Sequence, residues 1–225
     1  MSNFLLRFGA TLAMVMLAGV VVGSANNRSN VDFPSPALDV LIAAAQAEQS
    51  AVLAGGCFWG TQVIFQHVKG VLSVISGYSG GAANSAEYKQ VSTGGTGHAE
   101  SVKIIYDPAK ITYGQLLKVF FAVVHDPTQL NRQGPDTGTQ YRSVIFYAND
   151  EQKRIADAYI AQLEKAKVFK RRIVTQVVPL EAFYPAEAYH QDYVAQHPHN
   201  LYVVFHDKPK LAHLRREFAD LYTDK

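Results

Sequence analysis

Residues 51–68 read AVLAGGCFWGTQVIFQHV and indicate how the domain begins. The first four residues, Ala51–Ala54, are apolar and predict a short buried strand. Two glycines then interrupt the strand, and apolar residues return at helical spacing, which predicts a helix over Cys57–Val68. A strand that passes directly into a helix is typical of domains that mix the two elements.

Strand-like and helical patterns are interspersed along the rest of the chain. Strands are predicted at Val71–Tyr78, Ser101–Tyr106, Ser143–Ala148 and Ile173–Val178. Helices are predicted at Ala86–Val91, Thr112–Val124, Asp150–Phe169, Ala186–His197 and Lys210–Tyr222. The sequence has neither a Gly-x-Gly-x-x-Gly nor a Walker motif, so we expect a two-layer α/β sandwich rather than a nucleotide-binding sheet.

The composition is that of a globular protein with little excess charge. Of 225 residues, 48% are hydrophobic and 18% are charged, which excludes a disordered, collagenous or coiled-coil chain. The net charge of +2 is too small to predict a nucleic-acid or anionic-membrane surface, and it favours small substrates or peptides. Cys57 is the single cysteine, so neither an intrachain disulfide nor a thiolate-rich zinc site can form.

The N-terminus resembles a secretory signal. An apolar run, Leu12–Val22, follows a short basic start, and small residues occupy positions 23–25. We expect residues 1–25 to be a signal peptide that is cleaved after Ala25, which predicts an exported, periplasmic or secreted protein. The alternative is a membrane anchor formed by residues 8–25, because this segment is long enough to cross a bilayer.

The remainder divides into a linker and one domain. Residues 26–50 are expected to be a linker and N-terminal extension, with a short helix over Ala37–Glu48 that lies across the domain surface. No long linker or internal repeat follows, so residues 51–225 are interpreted as a single domain.

Cys57 is the first candidate for chemistry. In the first turn of a helix its sulfur faces unpaired backbone N–H groups and the positive end of the helix dipole, which favours the thiolate. The flanking glycines, at 56 and 60, permit the close approach of a ligand. The alternative is a buried cysteine that simply packs in the core, and the neighbouring Phe58 and Trp59 are equally compatible with core packing.

Five ordered motifs make the sequence similar to the A-type peptide methionine sulfoxide reductases. The motifs are Gly56-Cys57-Phe58-Trp59-Gly60, Gly77-Tyr78-Ser79-Gly80-Gly81, Thr96-Gly97-His98-Ala99-Glu100, Gly138-Thr139-Gln140-Tyr141-Arg142-Ser143 after a His-Asp-Pro-Thr start at 125–128, and Pro185-Ala186-Glu187 with His190, Gln191 and Tyr193. Their number and order over most of the domain make chance agreement improbable, whereas the first motif alone would only be suggestive.

The resemblance implies a fold and an activity. The fold class is α+β, a two-layer α/β sandwich with a mixed sheet and a ferredoxin-like core. The implied activity is thiol-dependent reduction of the S epimer of methionine sulfoxide to methionine, free or in proteins, which repairs oxidised proteins. The implied intermediate is a sulfenic acid on Cys57.

The resemblance also implies roles for individual residues. Cys57 is the nucleophile, and Glu100 is an acid that stays protonated among apolar neighbours and donates to the sulfoxide oxygen. Tyr88 and Tyr141 are the phenols that hold this oxygen, and Asp136 supports the pocket. Phe58 and Trp59 enclose the S-methyl group of the substrate.

Each role has a plainer alternative. Tyr88 and Tyr141 are two of twelve tyrosines, most of which pack with the hydroxyl group in water. Glu100 is also interpretable as an edge charge, and Asp136 as a turn residue. The histidines fit no helix-borne ligand pattern and the family uses no metal, so no metal site or bound cofactor is expected.

Two features depart from the family pattern. Many relatives carry further cysteines near the C-terminus, whereas this chain resembles the one-cysteine form. The reductant must therefore be external, either thioredoxin, a glutaredoxin-like protein or a small thiol. Where relatives usually have Gly-Asn-Asp, this chain has Gly134-Pro135-Asp136, which leaves the loop that presents Asp136 open to differ. The protein is expected to be a monomer.

Two other functional classes are considered. One is a cysteine hydrolase or acyltransferase that uses His98 or His190 as the base for Cys57. The other is a non-enzymatic redox sensor or peptide-binding module that uses Cys57 for regulation.

Overall fold

The computed structural model describes residues 33–40 and 47–224. The strands in these ranges are β1 (Gln49–Gly55), β2 (Val71–Ser79), β3 (Ala99–Tyr106), β4 (Arg132–Gln133), β5 (Asp136–Thr137), β6 (Ser143–Tyr147), β7 (Gln176–Pro179) and β8 (Tyr184–Pro185). The α-helices are α1 (Phe58–Gln66), α2 (Tyr88–Val91), α3 (Tyr113–Val119), α4 (Asp150–Lys165), α5 (Tyr193–Gln196) and α6 (Lys208–Glu217). Wider, π-type helical turns at Phe120–Val124 and Val203–Asp207 extend α3 and lead into α6.

Six strands form one mixed sheet in the order β7-β6-β1-β3-β2-β8, and β4 and β5 form a separate hairpin. Neighbouring strands are antiparallel except β6 and β7, which are parallel. The central order β6-β1-β3-β2, with a helix after β1 and another after β3, is the βαββαβ connectivity of a ferredoxin-like core. The predicted two-layer sandwich with a mixed sheet is confirmed.

The apolar run in β1 follows from its central position in the sheet. Leu53 faces the large core beneath α1, α3 and α4, whereas Val52 and Ala54 pack on the opposite face against Val178, Leu180 and Phe183. Successive residues of a strand point to opposite faces, so a strand that is covered on both sides is apolar throughout.

The predicted helix over Ala186–His197 is wrong in its middle. The chain forms only a 3₁₀ turn at Ala188–His190 and the short α5, separated by Asp192 with φ of +54°. The side chain of Gln191 both accepts from the Ser76 N–H and donates to the Ser76 carbonyl, at 2.9 Å each. These side-chain bonds tie this segment to β2, and the left-handed backbone at Asp192 interrupts the helix.

Other boundaries differ by a few residues. The last helix begins earlier than predicted, with Val203–Asp207 continuing into α6, and α4 ends at Lys165 rather than Phe169. Such shifts at element ends are expected when only the sequence periodicity is used.

The described part of the N-terminal extension packs on the domain. The Pro34 carbonyl accepts from the Tyr159 hydroxyl at 2.6 Å, and Asp39 accepts from the Gly114 N–H at 2.9 Å. Of the predicted helix over Ala37–Glu48, residues 37–40 and 47–48 are irregular, and residues 41–46 lie outside the described residues. The predicted signal peptide at 1–25 also lies outside them. No helix within the described ranges is long and apolar enough to cross a membrane.

Candidate active site

A cavity of about 140 Å³ lies at the N-terminal end of α1. The residues lining it are Cys57, Phe58, Trp59, Tyr88, Glu100, Asp136, Tyr141 and Tyr202. All seven residues that the sequence singled out are therefore brought together, although they come from five separate parts of the chain. Tyr202 is an eighth residue that sequence reasoning did not identify.

Local backbone geometry places Cys57 at the mouth of this cavity. The chain leaves β1 through Gly56, whose φ of +89° suits glycine and disfavours other residues, and Cys57 is the N-cap of α1. The Cys57 carbonyl accepts the first helical hydrogen bond, from the Thr61 N–H at 3.4 Å. Cys57 as a residue is half-buried.

The sequence-based expectation that the helix N-terminus favours the Cys57 thiolate is opposed by burial. Burial raises the pKa of Cys57 well above its usual value, and the nearby carboxyl groups of Glu100 and Asp207 raise it further. A hydrogen bond from the backbone N–H of Trp59 lowers the pKa of Cys57, as expected at a helix N-terminus, but burial is the larger effect. The contribution of Glu100 requires its ionised form, so it is weak wherever this carboxyl is protonated.

Glu100 is buried because of its position in β3. It shares a strand face with Val102 and Ile104, which belong to the large core, and only 2% of its surface is exposed. Its Oε2 accepts from the Phe58 N–H at 3.1 Å. Burial raises its pKa to about 8, against the lowering effect of this hydrogen bond, so the carboxyl is largely protonated at neutral pH.

Two charged side chains fix the chain segments that carry Tyr88 and Tyr141. The carboxylate of Glu187 accepts from the Tyr88 N–H at 2.8 Å, which fixes the start of α2. Arg142 donates to the carbonyls of Gly97 at 2.8 Å and Thr139 at 2.9 Å, which ties the turn that carries Tyr141 to the turn before β3. Burial is the main cause that raises the pKa of both phenols, so they remain protonated hydrogen-bond donors.

Asp136 lies on the hairpin of β4 and β5. Gly134 and Pro135 form the turn of this hairpin, and Gly134 has a φ of +57°. The Tyr202 hydroxyl donates to Asp136 Oδ2 at 2.5 Å, which joins the hairpin to the helical segment before α6. The turn with Pro135 thus still presents the carboxylate to the cavity.

Aromatic rings form one wall of the cavity. Trp59 stacks on Tyr193 with ring centroids 3.6 Å apart, and its indole N–H donates to His190 Nδ1 at 3.1 Å. An indole nitrogen is only a donor, so His190 Nδ1 is the acceptor and the neutral ring carries its proton on Nε2. The His190 ring also packs 5.0 Å from that of Phe58.

The two histidines considered as bases, His98 and His190, each bind another group through one ring nitrogen. His190 Nδ1 is bound to Trp59, and His98 Nε2 lies 3.0 Å from the Ala82 carbonyl. Neither arrangement is the base-to-nucleophile bond that a cysteine hydrolase requires. Among the described residues, no group of three or more His, Cys, Asp or Glu side chains is placed to hold a metal ion.

Asp207 is a second residue that the sequence did not identify. It is 1% exposed, neither of its carboxylate oxygens has a hydrogen-bond partner among the described residues, and burial raises its pKa to about 6. A Cβ atom on Gly60 would overlap its Oδ1. Gly60 therefore gives clearance to a buried carboxyl of this chain rather than to a ligand.

The sequence around these two residues carries little signal. Tyr202 has no feature that separates it from the other eleven tyrosines, and Asp207 stands between His206 and Lys208 like a surface charge. A helical pattern from 201 onward, with Val203 and Asp207 on one side, is the one cue that could have placed them.

Comparisons with known proteins agree with the site. A family model described as peptide methionine sulfoxide reductase matches residues 49–222. The peptide methionine sulfoxide reductase MsrA 2 of Mesorhizobium japonicum is 58% identical over 182 residues, which are 81% of this chain and 93% of that protein. The protein of the same name from Synechocystis sp. is 52% identical over 189 residues, covering 83% of this chain and 88% of that protein.

Solved structures are also similar. Mxr1 from Saccharomyces cerevisiae in its reduced form superposes with a TM-score of 0.61 at 34% identity, over 68% of this chain and 87% of that one. Methionine sulfoxide reductase A of Corynebacterium diphtheriae superposes with a TM-score of 0.60, also at 34% identity, over 68% of this chain and 77% of that one.

Proposed function

This chain belongs to the peptide methionine sulfoxide reductase family and reduces methionine sulfoxide to methionine, and we propose that it does so on the S epimer in the cavity around Cys57. The observation that carries this assignment is a single thiol that shares a small cavity with a buried carboxyl, Glu100, whose pKa is about 8. Sulfoxide reduction needs this pair, a nucleophile for sulfur and an acid for oxygen.

The proposed step transfers one oxygen atom. The Cys57 thiolate attacks the sulfoxide sulfur and supplies two electrons, and Glu100 supplies one proton to the oxygen. The attack forms a bond between the Cys57 sulfur and the substrate sulfur while the substrate's sulfur–oxygen bond breaks, and the protonated oxygen leaves as hydroxide. The hydroxide then attacks the Cys57 sulfur, which breaks the sulfur–sulfur bond, releases methionine and leaves Cys57 as a sulfenic acid. Atoms and charge balance, because one thiolate, one sulfoxide and one proton give one sulfenic acid and one thioether.

The remaining residues are proposed to hold the substrate. The phenols of Tyr88 and Tyr141 are protonated and donate to the oxygen as negative charge develops on it. Phe58 and Trp59 provide the apolar wall against which the S-methyl group packs. Asp136 accepts from Tyr202 and thereby keeps both side chains at the cavity.

The pH dependence follows from two opposing titrations. The thiol must lose its proton and Glu100 must keep its proton, yet burial raises the pKa of both groups. The active form is therefore only a fraction of the enzyme. We expect a bell-shaped dependence of kcat/KM on pH, whose two apparent pKa values describe the coupled titration of Cys57 and Glu100.

Recycling is proposed to occur at the same sulfur. With no second cysteine in the chain, a thiol from outside must attack the Cys57 sulfenic acid, release water and form a mixed disulfide. A second thiol then restores Cys57. Thioredoxin, a glutaredoxin-like protein or a small thiol is suitable, and oxidised proteins or peptides are the proposed substrates.

The export of the protein is likewise a proposal, supported by the apolar run Leu12–Val22 and the small residues that follow it. Methionine sulfoxide forms in an oxidising compartment, so an enzyme that repairs it finds substrates there. Because thiols are not kept reduced in such a compartment, the enzyme also needs a dedicated thiol donor.

A steady-state assay with resolved sulfoxide epimers tests the proposed function. Monothiol, dithiol and thioredoxin donors are compared on each epimer. We expect methionine from the S epimer and a strong dependence of rate on the donor. Equal rates on both epimers would contradict the assignment of the epimer.

A further inference from the structure

The buried carboxyl of Asp207 lies against the first turn of α1 and takes no part in the proposed oxygen transfer. Asp207 is 1% exposed, and neither of its carboxylate oxygens has a hydrogen-bond partner within the described part of the chain. A buried carboxyl without a partner costs folding free energy, and such groups cluster at functional sites. Asp207 is therefore a candidate for a role at the neighbouring thiol.

The local backbone does not explain an aspartate at this position. Asp207 ends the wide helical turn Val203–Asp207 and is the N-cap residue of α6, but its side chain makes no capping hydrogen bond. The chain is already helical before α6, and the N–H of Lys208 donates to the Val203 carbonyl. Wide turns of this kind are rare and are frequently found at functional sites. The side chain of Asp207 is thus free of a capping role.

Packing fixes the segment of Asp207 against α1. Val203 of the wide turn and Val63 of α1 belong to one buried apolar cluster. A Cβ atom on Gly60 would overlap Asp207 Oδ1 and would lie 3.2 Å from the carboxyl carbon. The carboxyl of Asp207 therefore lies directly beside the backbone of Gly60, in the first turn of α1.

Gly60 brings this carboxyl close to the thiol. Cys57 is the N-cap of α1 and Gly60 comes three residues later, so a Cβ atom on Gly60 would lie roughly 5–6 Å from that of Cys57. Asp207 Oδ1 occupies this position. The Cys57 sulfur accepts from the backbone N–H of Trp59 in the same turn. A negative charge on Asp207 therefore opposes a negative charge on the Cys57 sulfur.

Other charged groups also face these two side chains. Glu100 from β3 and Asp136 from β5 face Cys57, and Asp207 is faced by Asp136 and by Lys210 of α6, whose positive charge favours the ionised form of Asp207. Burial raises the pKa of Asp207 to about 6 and that of Glu100 to about 8, so at neutral pH Asp207 is largely ionised while Glu100 is largely protonated. Burial raises the pKa of the neighbouring phenols and lowers that of the neighbouring histidine, so these groups stay uncharged, namely Tyr88, Tyr141, Tyr202 and His190.

A lone thiol is vulnerable to hydroperoxides when it is ionised. The thiolate attacks one oxygen of the hydroperoxide, the oxygen–oxygen bond breaks, and the sulfur becomes a sulfenic acid while the second oxygen takes a proton and leaves as water or an alcohol. A second hydroperoxide oxidises the sulfenic acid irreversibly to sulfinic acid. This chain has no second cysteine that could trap the sulfenic acid as a disulfide. A smaller fraction of thiolate slows the first of these steps.

We propose that Asp207 is a positioning residue whose negative charge keeps the Cys57 thiol protonated in the resting enzyme, and so protects the enzyme from inactivation by hydroperoxides. Asp207 acts through Cys57 and does not itself line the cavity. The inference rests on the proposed function, in which Cys57 is the reactive thiol.

Titration of the thiol tests this role without any sulfoxide. The ultraviolet absorbance of the thiolate is followed against pH in the wild type and in Asp207→Asn, with Cys57→Ser as the blank. The rate of alkylation by iodoacetamide is measured over the same range, and both signals report one group because Cys57 is the single cysteine. Asp220→Asn removes a carboxyl at an exposed position after α6 and is the matched control.

We expect Asp207→Asn to lower the pKa of Cys57 by about one unit, the effect of one charge at this separation inside a protein. The fraction of thiolate at neutral pH then rises about 10-fold. Because a less basic thiolate is a weaker nucleophile, alkylation accelerates by only about 3-fold. Inactivation by hydrogen peroxide, measured as sulfinic acid on the Cys57 peptide, should accelerate to a similar extent, and Asp220→Asn should change none of these quantities.

An unchanged pKa of Cys57 in Asp207→Asn, or an equal shift in Asp220→Asn, would overturn the proposal. An unchanged rate of inactivation by hydrogen peroxide would also overturn it. A merely structural role of Asp207 would change the stability of the protein and leave the titration of the thiol where it is.

The wild type alone provides a second test, which holds even if Asp207→Asn does not fold. Asp207 gains its charge around pH 6 and makes the thiol harder to ionise, so the logarithm of the alkylation rate should flatten just above this pH before it rises again. A straight line through this region would contradict the proposal. Failure of the proposed function is distinguishable, because the thiol would then titrate as expected while the wild type formed no methionine from the sulfoxide.

Discussion

The substitution Glu100→Gln removes the transferable proton of this side chain and keeps its size and shape, so it tests proton donation separately from packing. Glutamine is nearly isosteric with the protonated acid and keeps an oxygen that can accept from the Phe58 N–H. It cannot donate a transferable proton, so we expect the single-turnover rate of sulfoxide reduction to fall by roughly 10²- to 10⁴-fold, the usual worth of a positioned general acid. Substrate binding should change less than turnover.

The same substitution has a second effect, on stability, whose size follows from burial. The pKa of Glu100 is about 8 in the folded protein and has its usual value of 4.5 when the chain is unfolded. The difference of about 3.5, at 1.36 kcal/mol for each pH unit, means that protonated Glu100 gives the folded protein about 5 kcal/mol more free energy of unfolding than ionised Glu100 does. Because the folded pKa is the higher one, this stability is fully present below pH 4.5 and is lost as the pH rises through 8.

Glutamine does not titrate, so the variant escapes this loss. The free energy of unfolding of Glu100→Gln minus that of the wild type should rise by about 1.4 kcal/mol per pH unit between these two values. Urea unfolding of both proteins at several values from about pH 5 to about pH 8 measures the slope. The exposed glutamate at position 87 provides a control, since Glu87→Gln removes a carboxylate from the surface.

A difference that does not depend on pH would refute the reasoning that Glu100 is held protonated by burial. An unchanged single-turnover rate would refute its role as the acid. The two results are independent, so a protonated carboxyl without a catalytic role would be recognised as such.

Four further predictions concern the thiol and its surroundings. Cys57→Ser should abolish reduction of the S epimer and leave the circular dichroism spectrum intact, because a hydroxyl is a far weaker nucleophile; near wild-type activity would contradict the mechanism. Without reductant the wild type should release one equivalent of methionine and gain one oxygen on the Cys57 peptide in mass spectrometry, whereas two equivalents would show another source of electrons. Tyr202→Phe removes a donor to Asp136 and should lower kcat/KM about 10-fold in steady-state assays, and an unchanged value would exclude its positioning role. Burial raises the pKa of Asp207 from 3.8 to about 6. The stability that the protonated carboxyl gives the folded protein is therefore present below pH 3.8 and lost as the pH rises through 6. Asp207→Asn should therefore raise the free energy of unfolding by up to about 3 kcal/mol above pH 7, and a lower value in denaturant titrations would contradict this.

The local features of the site were predictable from the sequence because they depend on neighbours along the chain. The apolar run of β1, the glycines after it and the helical spacing from Cys57 onward place the thiol at the start of a helix. The family resemblance then supplied seven of the eight residues that line the cavity, all but Tyr202. Their roles remain predictions for the experiments above.

The chemical state of these groups was decided by contacts between distant parts of the chain. Glu100 contacts Phe58 across 42 positions, and Tyr202 contacts Asp136 across 66. The helix N-terminus alone predicts a stabilised Cys57 thiolate, but burial beside other carboxyls reverses the direction of its pKa.

The sequence by itself therefore determined most of the longer strands and helices and the position of the nucleophile, since hydrophobic period and turn chemistry are local, while the family resemblance implied the fold class. Only the tertiary structure decided that Asp207 is buried, that Tyr202 lines the cavity and that Gly60 gives clearance to Asp207. The physical reason is that desolvation and charge interactions depend on distance in space, and folding makes residues neighbours that the chain keeps far apart.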